Sequence, residues 1–270
     1  MKNIRLMATV LALYGITNLS VAQDHQDTHL HINPKWSECS FQLDPSLTQE
    51  AWHQFTKEAG LVAYFRPLVD AKPMGTRNFE VALTQWKTAF DDSKPAWNDT
   101  FVHPDSAHWL KEGSRLAFPG LTARVGINDK MDVGIFWTKS FGANYGFIGG
   151  QLQYSVVNNL EKKWSAAARA NFTSMFGPED LNLTTYGLDL LTSKEFPLYY
   201  KWASVAPYVG VSTYLTNTRE KTEKVNLANE HVMGAQAMAG AVLKLAAARI
   251  GVEYNFAKLN TVSFKIGVAF

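Results

Sequence analysis

The chain has 270 residues, with 26 Lys or Arg and 24 Asp or Glu, so its formal net charge is +2. Two of the basic residues, Lys2 and Arg5, fall within residues 1–22, and the remainder therefore carries 24 charges of each sign. Such a balance lacks the basic excess that binding to nucleic acid or another acidic polymer requires, so no nucleic-acid partner is expected. No stretch after residue 22 offers about 18 consecutive apolar residues, so membrane-spanning helices are not expected.

Residues 1–22 have the pattern of a secretory signal peptide. Lys2 and Arg5 precede an apolar run over residues 6–14, and Ser20-Val21-Ala22 is a small-residue cleavage site. The apolar run is too short to cross a bilayer, which favours cleavage over retention as an uncleaved N-terminal helix. We therefore expect an exported mature chain that begins at Gln23.

Residues 23–43 form a polar leader with three histidines and the only cysteine. His25, His29 and His31 could bind a metal ion, but no carboxylate or cysteine framework fixes a geometry around them, so a solvated leader is favoured. A single cysteine, Cys39, cannot form an intrachain disulfide, and the residues before it are not a lipoprotein cleavage site. A buried, inert thiol is predicted, with no metal and no cofactor.

One convincing helix follows, predicted over residues 46–65. Asp44 can cap its N-terminus and Pro45 can occupy the first helical position, where the missing N–H carries no penalty. Apolar residues recur at helical spacing until Pro67, namely Leu47, Ala51, Phe55, Ala59 and Val62. The leader and this helix together make up a predicted segment at residues 23–76, which precedes the sheet.

From residue 77 the sequence changes to runs of about ten residues in which apolar and polar side chains alternate. Such runs are typical of a transmembrane β-barrel. The fold class predicted is all-β, an antiparallel barrel over residues 77–270 with about ten strands, although eight or twelve are possible. The ten runs cover residues 77–88, 115–128, 130–140, 145–156, 163–174, 181–192, 203–214, 230–244, 246–257 and 260–270.

A soluble β-sandwich would also bury one face of each strand, but sandwich strands are usually nearer five or six residues long. Aromatic residues at strand ends favour the barrel, because transmembrane barrels carry aromatic girdles at both membrane interfaces. The aromatic residues in question are Trp86, Trp137, Tyr154, Trp164, Tyr214, Tyr254 and Phe270.

The lengths of the connections predict an orientation. Bacterial barrels have short periplasmic turns and longer outer loops. The two longest connections, 89–114 and 215–229, follow the first and seventh strands and therefore lie on the same side. We expect this side to be external, both termini to be periplasmic, and the charged segment within 215–229 to be exposed at the cell surface.

Alternation also predicts which charged side chains face the lumen. A ten-stranded barrel is close to the size at which side chains fill the interior. Four acids and four bases in so narrow a space should pair, because an unpaired buried charge is strongly destabilising. A structural charge network is therefore favoured over a permeation path. Its predicted members are Glu80, Arg124, Asp132, Arg169, Asp189, Arg249, Glu253 and Lys265.

The same argument places the predicted helix outside the lumen. A helix with its side chains is about 10–12 Å across. That is too wide for a ten-stranded lumen lined by long side chains, although a larger barrel would admit it. We expect the helix in the periplasm, with its apolar stripe against the mouth of the barrel.

The sequence offers few candidates for catalytic residues. Outer-membrane hydrolases use histidine with serine or with acidic residues, but no histidine here lies beside a serine on a strand in the required pattern. His103, Asp105 and His108 in the first long connection could bind a metal or act catalytically, but a solvated loop is favoured. No catalytic residue is predicted.

The last nine residues alternate strictly, with Phe264, Ile266, Val268 and Phe270 on one face. A closing strand with a C-terminal Phe resembles the assembly signal of Gram-negative outer-membrane barrels. Residues 43–48 and the stretch Thr185–Leu190 with Ser193–Phe196 are similar to an uncharacterised family of such proteins. The resemblance spans most of the mature chain, implies an outer-membrane location, and brings no functional residues, because its motifs are structural.

Two functional readings follow. The preferred one is a structural outer-membrane barrel or a narrow solute channel without enzymatic activity. The alternative is an enzyme that hydrolyses lipid or peptide at the cell surface. The expected partners are outer-membrane lipid, lipopolysaccharide and the barrel-assembly machinery.

Overall fold

The computed structural model describes residues 39–103, 110–112, 114–140, 142–200 and 202–270. The predicted signal peptide, the three leader histidines, Asp105 and His108 lie outside this range. Within the described residues, no helix is long and apolar enough to cross a membrane.

Ten long antiparallel strands form a closed barrel, as predicted. Each pairs with its neighbour in sequence, and the last pairs with the first, so that Ala269 lies opposite Glu80. At this junction Phe79 and Phe270 exchange two backbone hydrogen bonds of 2.9 and 2.8 Å. The strands are β1 (Phe79–Ala89), β2 (Arg115–Gly126), β3 (Met131–Lys139), β4 (Gly146–Asn159), β5 (Trp164–Phe176), β6 (Leu181–Lys194), β7 (Ala203–Glu220), β8 (Glu230–Leu245), β9 (Ala248–Phe256) and β10 (Thr261–Ala269).

Alternation places apolar side chains on the outside of the barrel. Leu83, Ile135, Leu188 and Ile266 are between 44% and 63% exposed, although each has a buried residue next to it along its strand. A closed barrel satisfies all backbone hydrogen bonds internally, and an apolar outer band is the surface that faces lipid. These features identify the chain as an outer-membrane β-barrel protein.

The predicted aromatic girdle needs two corrections. Trp137, Tyr154, Tyr254 and Phe270 are exposed on the outer face as expected. Trp86 and Tyr214, which are 1% and 4% exposed, instead belong to the inward-facing rows of β1 and β7. Those two rings therefore contribute to the interior and not to a membrane interface.

The two ends of the barrel differ, and we call them the loop end and the turn end. The loop end carries the connections after β1, β3, β5, β7 and β9, of which 90–114 is the longest. The turn end carries 127–130, 160–163, 195–202 and 246–247, together with the start of β1 and the C-terminus. Strand β7 extends to Glu220, so the connection after it is 221–229, shorter than the predicted 215–229.

Helix α1 spans Gln49–Val62, shorter than the predicted 46–65. Thr48 is its N-cap, and its hydroxyl accepts a hydrogen bond from the Ala51 amide at 3.2 Å. Asp44, the predicted cap, instead accepts hydrogen bonds from the Ser46 amide and hydroxyl in a turn before the helix. A second helix, α2 (Pro95–Asn98), lies in the connection after β1.

Helix α1 lies within the loop end of the barrel, so the predicted position at the opposite mouth is wrong. It packs against β7, β8 and α2, and its Thr56 bonds the inward-facing Thr218 at 2.5 Å. The barrel admits the helix because small side chains line this part of the wall. A Cβ added at Gly60 would overlap the hydroxyl of Thr216, which shows how closely helix and wall approach.

The segment before α1 also lies at the loop end. Ser40–Phe41 pairs with Phe101–Val102 of the long connection after β1. The chain therefore enters at the loop end, forms α1, and crosses the lumen through residues 63–76 to start β1 at the turn end. The expectation that the chain before the barrel lies at the turn end with the C-terminus is wrong for residues 39–48.

Candidate functional site: the occupied lumen

An apolar core fills the loop half of the lumen. Trp52 and Phe55 of α1 are fully buried and stack with ring centroids 5.5 Å apart. Phe55 also packs edge-on against Trp97 of α2 at 5.2 Å, and farther down Phe65 stacks on the barrel residue Phe136. Cys39 is fully buried in the same core, as predicted. These contacts close the loop half with side chains.

One buried acid ties helix α1 to two connections at the loop end. Glu58 of α1, whose side chain is 2% exposed, accepts hydrogen bonds from Trp97 Nε1 at 2.7 Å and Lys258 Nζ at 2.8 Å. Burial raises the pKa of Glu58, but the bonds from Lys258, Trp97 and Gln54 together outweigh it and leave the pKa below its usual value. The carboxylate is therefore held in its charged form where α1 meets the connections after β1 and β9.

Residues 63–76, which we call the lumen segment, are bonded to the wall along their length. Arg66 is 1% exposed and donates to Leu61 and Tyr64 carbonyls and, from Nε, to Asn255 Oδ1 at 2.9 Å. Lower down, the Ala71 amide donates to Ser193 at 3.0 Å and the Met74 amide to Asp132 at 3.0 Å. The segment is therefore part of the packed interior.

Asp189 on β6 is the point where the lumen segment and the wall meet. Its carboxylate, 0% exposed, accepts hydrogen bonds from Tyr64 at 2.5 Å and from Arg169 Nε at 2.6 Å. Asn171 and Ser212 add two more donors at 2.9 and 2.5 Å. Four donors suit a buried carboxylate, which is stable only when paired and hydrogen-bonded.

Six of the eight predicted lumen charges form three direct ion pairs. Arg169 pairs with Asp189 as described. Arg124 pairs with Asp132 at 2.5 Å, and Lys265 pairs with Glu80 at 2.6 Å across the junction of β10 and β1. All six side chains are at most 9% exposed, so the pairs are interior.

Glu253 and Arg249 do not pair with each other. Glu253, 1% exposed, accepts from Tyr208 at 2.6 Å and from Asn255 at 3.0 Å. Arg249 donates to the Ala246 and Ala248 carbonyls at the mouth of the turn end. The prediction overlooked the register of β9, which places Arg249 four residues nearer the turn end than Glu253.

The sequence reasoning missed a second group of charges at the turn end. Lys244 pairs with Asp70 at 2.7 Å, and Lys72 pairs with Glu195 at 2.8 Å. Partial burial raises the pKa of Glu195, but the hydrogen bond from Lys72, the charge of Lys244 and the bond from Ser204 bring it down to about 2. Glu195 and Lys244 continue inward-facing rows of β6 and β8, so alternation could have found them. Nothing in the sequence marked Asp70 and Lys72 as lumen residues.

Two polar cavities open at the turn end. The larger has a volume of about 290 Å³ and the smaller about 220 Å³. The larger is lined by Val69, Asp70, Lys72, Pro73, Met74, Asn78, Glu80, Arg124, Glu195, Val242, Lys244, Arg249, Lys265, Ala269 and Phe270. The interior is thus packed and apolar towards the loops but polar and partly open towards the turns.

The predicted assembly signal lies on the outer face of the last strand. Phe264, Ile266 and Phe270 are 49%, 59% and 60% exposed, and Val268 is partly exposed. Phe270 stacks on Phe79 with ring centroids 5.1 Å apart. The four side chains therefore face outward at the closing strand.

His103, a member of the alternative catalytic set, has an acidic neighbour. Its Nε2 lies 3.3 Å from Asp92 Oδ2, in the long connection after β1. Across the part of the chain that is described, no group of three or more His, Cys, Asp or Glu is placed to hold a metal ion.

The sequence matches no protein-family model and no curated protein. Among solved structures, the chain is similar to an outer-membrane channel from Pseudomonas putida F1, with 11% identity, a TM-score of 0.42, and coverage of 77% of this chain and 100% of that one. It is also similar to LpxR from Salmonella typhimurium, with 10% identity, a TM-score of 0.36 and coverage of 70% and 99%. A third similar structure is the N-terminal β-barrel domain of OprF from Pseudomonas aeruginosa, with 11% identity, a TM-score of 0.28, and coverage of 73% of this chain and 99% of that one.

Proposed function

We propose that this protein is a structural outer-membrane barrel that its own N-terminal segment keeps closed, and that it is not an enzyme. The observation that carries the proposal is the path of residues 49–76. Helix α1 fills the loop half of the lumen, and the lumen segment crosses the rest while bonded to Asp189, Ser193 and Asp132. A solute would have to displace α1 and the lumen segment to pass. The protein could therefore act as a channel only in a state in which both have left the lumen.

The charge pairs support the same proposal. Six of the eight predicted lumen charges pair with each other, and Glu195 and Lys244 pair with the lumen segment. These ions are therefore not arranged as a row of unpaired charges along a water-filled path. Breaking such buried pairs is strongly unfavourable, which stabilises the closed arrangement. The resemblance to an uncharacterised outer-membrane family agrees with this role.

Conductance in planar bilayers tests the proposal. We expect refolded wild-type protein to conduct far less than an open porin. Gly60→Val places a branched side chain against the hydroxyl of Thr216 and the ring of Tyr214, so α1 should no longer seat against the wall and open events should become more frequent. Lys57→Val is the matched control, because it introduces the same side chain at an exposed position of α1. Large, steady conductance of the wild type would contradict the proposal.

The hydrolase alternative depends on one observation, the contact between Asp92 and His103. An acid that orients a histidine is part of a general-base arrangement. We expect no hydrolysis of phospholipid or peptide substrates by the refolded protein. Activity that is lost in His103→Ala and retained in His53→Ala would favour the enzyme.

A further inference from the structure

The larger cavity at the turn end has an excess of basic side chains. Five Lys or Arg and three Asp or Glu line it. Each of the three acidic side chains already pairs with a lysine: Asp70 with Lys244, Glu195 with Lys72, and Glu80 with Lys265. The two arginines have no such partner among the lining acids.

Arg124 is buried yet only partly satisfied. The residue is 7% exposed, and within the described residues its side chain makes one hydrogen bond, from Nη2 to Asp132, which lies outside the cavity lining. Its Nε is fully buried and has no partner among the described residues. A guanidinium with unused donors in a protein interior favours an additional acceptor, since an unpaired buried donor is destabilising.

Arg249, unlike Arg124, has no carboxylate partner in the described part of the chain. Its Nη1 donates to two backbone carbonyls, of Ala246 and Ala248, and no carboxylate in the described part of the chain lies within ion-pair distance of it. It is partly exposed at the mouth, so its remaining donors can reach a solute that enters from the turn end.

The wall between the two arginines carries small residues beside the Glu80–Lys265 pair. Arg249 lies opposite Gly267, and Gly267 lies opposite Ala82 on β1. Ala269 lies opposite Glu80, which in turn faces Arg124. Small side chains at these positions leave the space that the cavity occupies.

We propose that this cavity binds a small oxyanion, with Arg124 and Arg249 as its ligands. Arginine presents planar paired donors that match phosphate and carboxylate groups. The volume of about 290 Å³ is near the lower limit of small-molecule sites, which suits a phosphate or a small molecule that carries a phosphate or carboxylate group. The charge of Glu80 opposes binding, so moderate affinity is expected. The site goes beyond the proposed function, because it opens only at the turn end and requires no passage through the barrel.

Calorimetric titration of the full-length protein in a neutral detergent tests the site. Inorganic phosphate and acetate are the probes, with chloride buffer at constant ionic strength. We expect saturable binding of at least one of them. Arg249→Gln should weaken binding about tenfold or more, the usual effect of losing a hydrogen bond between charged groups. Arg219→Gln, at an exposed position near the loop end, is the matched control and should bind as the wild type does.

Three comparisons make the result decisive. Arg124→Lys retains the positive charge and the pairing with Asp132 but removes the planar paired donors of the guanidinium group. It should therefore also weaken binding. Titration in vesicles with and without anionic phospholipid shows whether a lipid phosphate competes for the site, which would identify the membrane as the source of the anion. No binding of either probe, or equal binding by the wild type and Arg249→Gln, would overturn the proposal.

Discussion

Two inward-facing arginines of the same barrel should differ sharply in their contribution to stability. Arg169 is 1% exposed and its Nε bonds Asp189 at 2.6 Å. Arg249 is partly exposed and bonds two carbonyls. Arg169→Gln leaves a buried carboxylate without its cation, which should lower the free energy of unfolding by about 3–5 kcal/mol. Arg249→Gln removes only hydrogen bonds that water can replace, so a loss of roughly 1 kcal/mol or less is expected.

Urea unfolding in lipid vesicles, followed by tryptophan fluorescence, measures the difference. The double variant Arg169→Gln with Asp189→Asn should be less destabilised than the sum of the single variants, by about 1–3 kcal/mol. The slope of free energy against urea should stay constant, because the folded and unfolded states expose similar surfaces in all variants. Equal effects of Arg169→Gln and Arg249→Gln would refute the claim that buried pairing stabilises this lumen.

Three further predictions concern assembly, topology and pH. Replacing both Phe264 and Phe270 with Ser should reduce the amount of heat-modifiable, membrane-inserted protein without blocking export, because both rings face outward on the closing strand; normal insertion would contradict this role. An epitope tag placed after Thr222 should bind antibody on intact cells, since Thr222 lies in the connection after β7 at the loop end; access only after permeabilisation would reverse the orientation. Glu195, whose pKa falls from 4.5 to about 2 on folding, contributes stability that is complete above pH 4.5 and is lost as the pH falls towards 2. The unfolding temperature of Glu195→Gln should therefore decline less than that of the wild type between pH 6 and pH 3, and parallel declines would exclude this carboxylate as a cause.

The ten strands could be predicted because the alternation of side chains follows directly from the pleat of a β-strand. One face of each strand meets lipid and the other meets a filled lumen. The alternation of apolar and polar side chains is therefore clear even in a single strand. The error at Trp86 and Tyr214 has the same origin. Trp86 lies three residues before the end of β1, and Tyr214 ends the predicted strand 203–214 but lies six residues before the end of the observed β7. An aromatic residue near a strand end suits either the membrane interface or a packed interior, and only the register of the neighbouring residues separates the two.

The position of α1 could not be predicted, because alternation gives the face of a residue but not its height in the barrel. The long, charged side chains concentrate in the turn half, so the argument from a crowded lumen holds there. In the loop half, the wall beside the helix carries Thr216 and Thr218, and farther along Gly187 lies against Tyr64. Charged side chains in the turn half and short polar side chains beside the helix in the loop half therefore allow the helix in the loop half only.

The path of the chain constrains the order in which the barrel is built. Residues 39–48 lie at the loop end and Phe79 lies at the turn end, so the intervening segment passes through the interior. Threading this segment, with a 14-residue helix, through an already closed barrel would require the helix to pass the charged side chains that line the turn end, such as Arg124 and Lys265. The simpler order is that the wall closes around the segment, and the last contacts to form are those between β10 and β1. Lys265 and Glu80 pair across that junction, and Phe270 bonds Phe79 at its end. In this order, the step that closes the barrel also encloses α1 and the lumen segment.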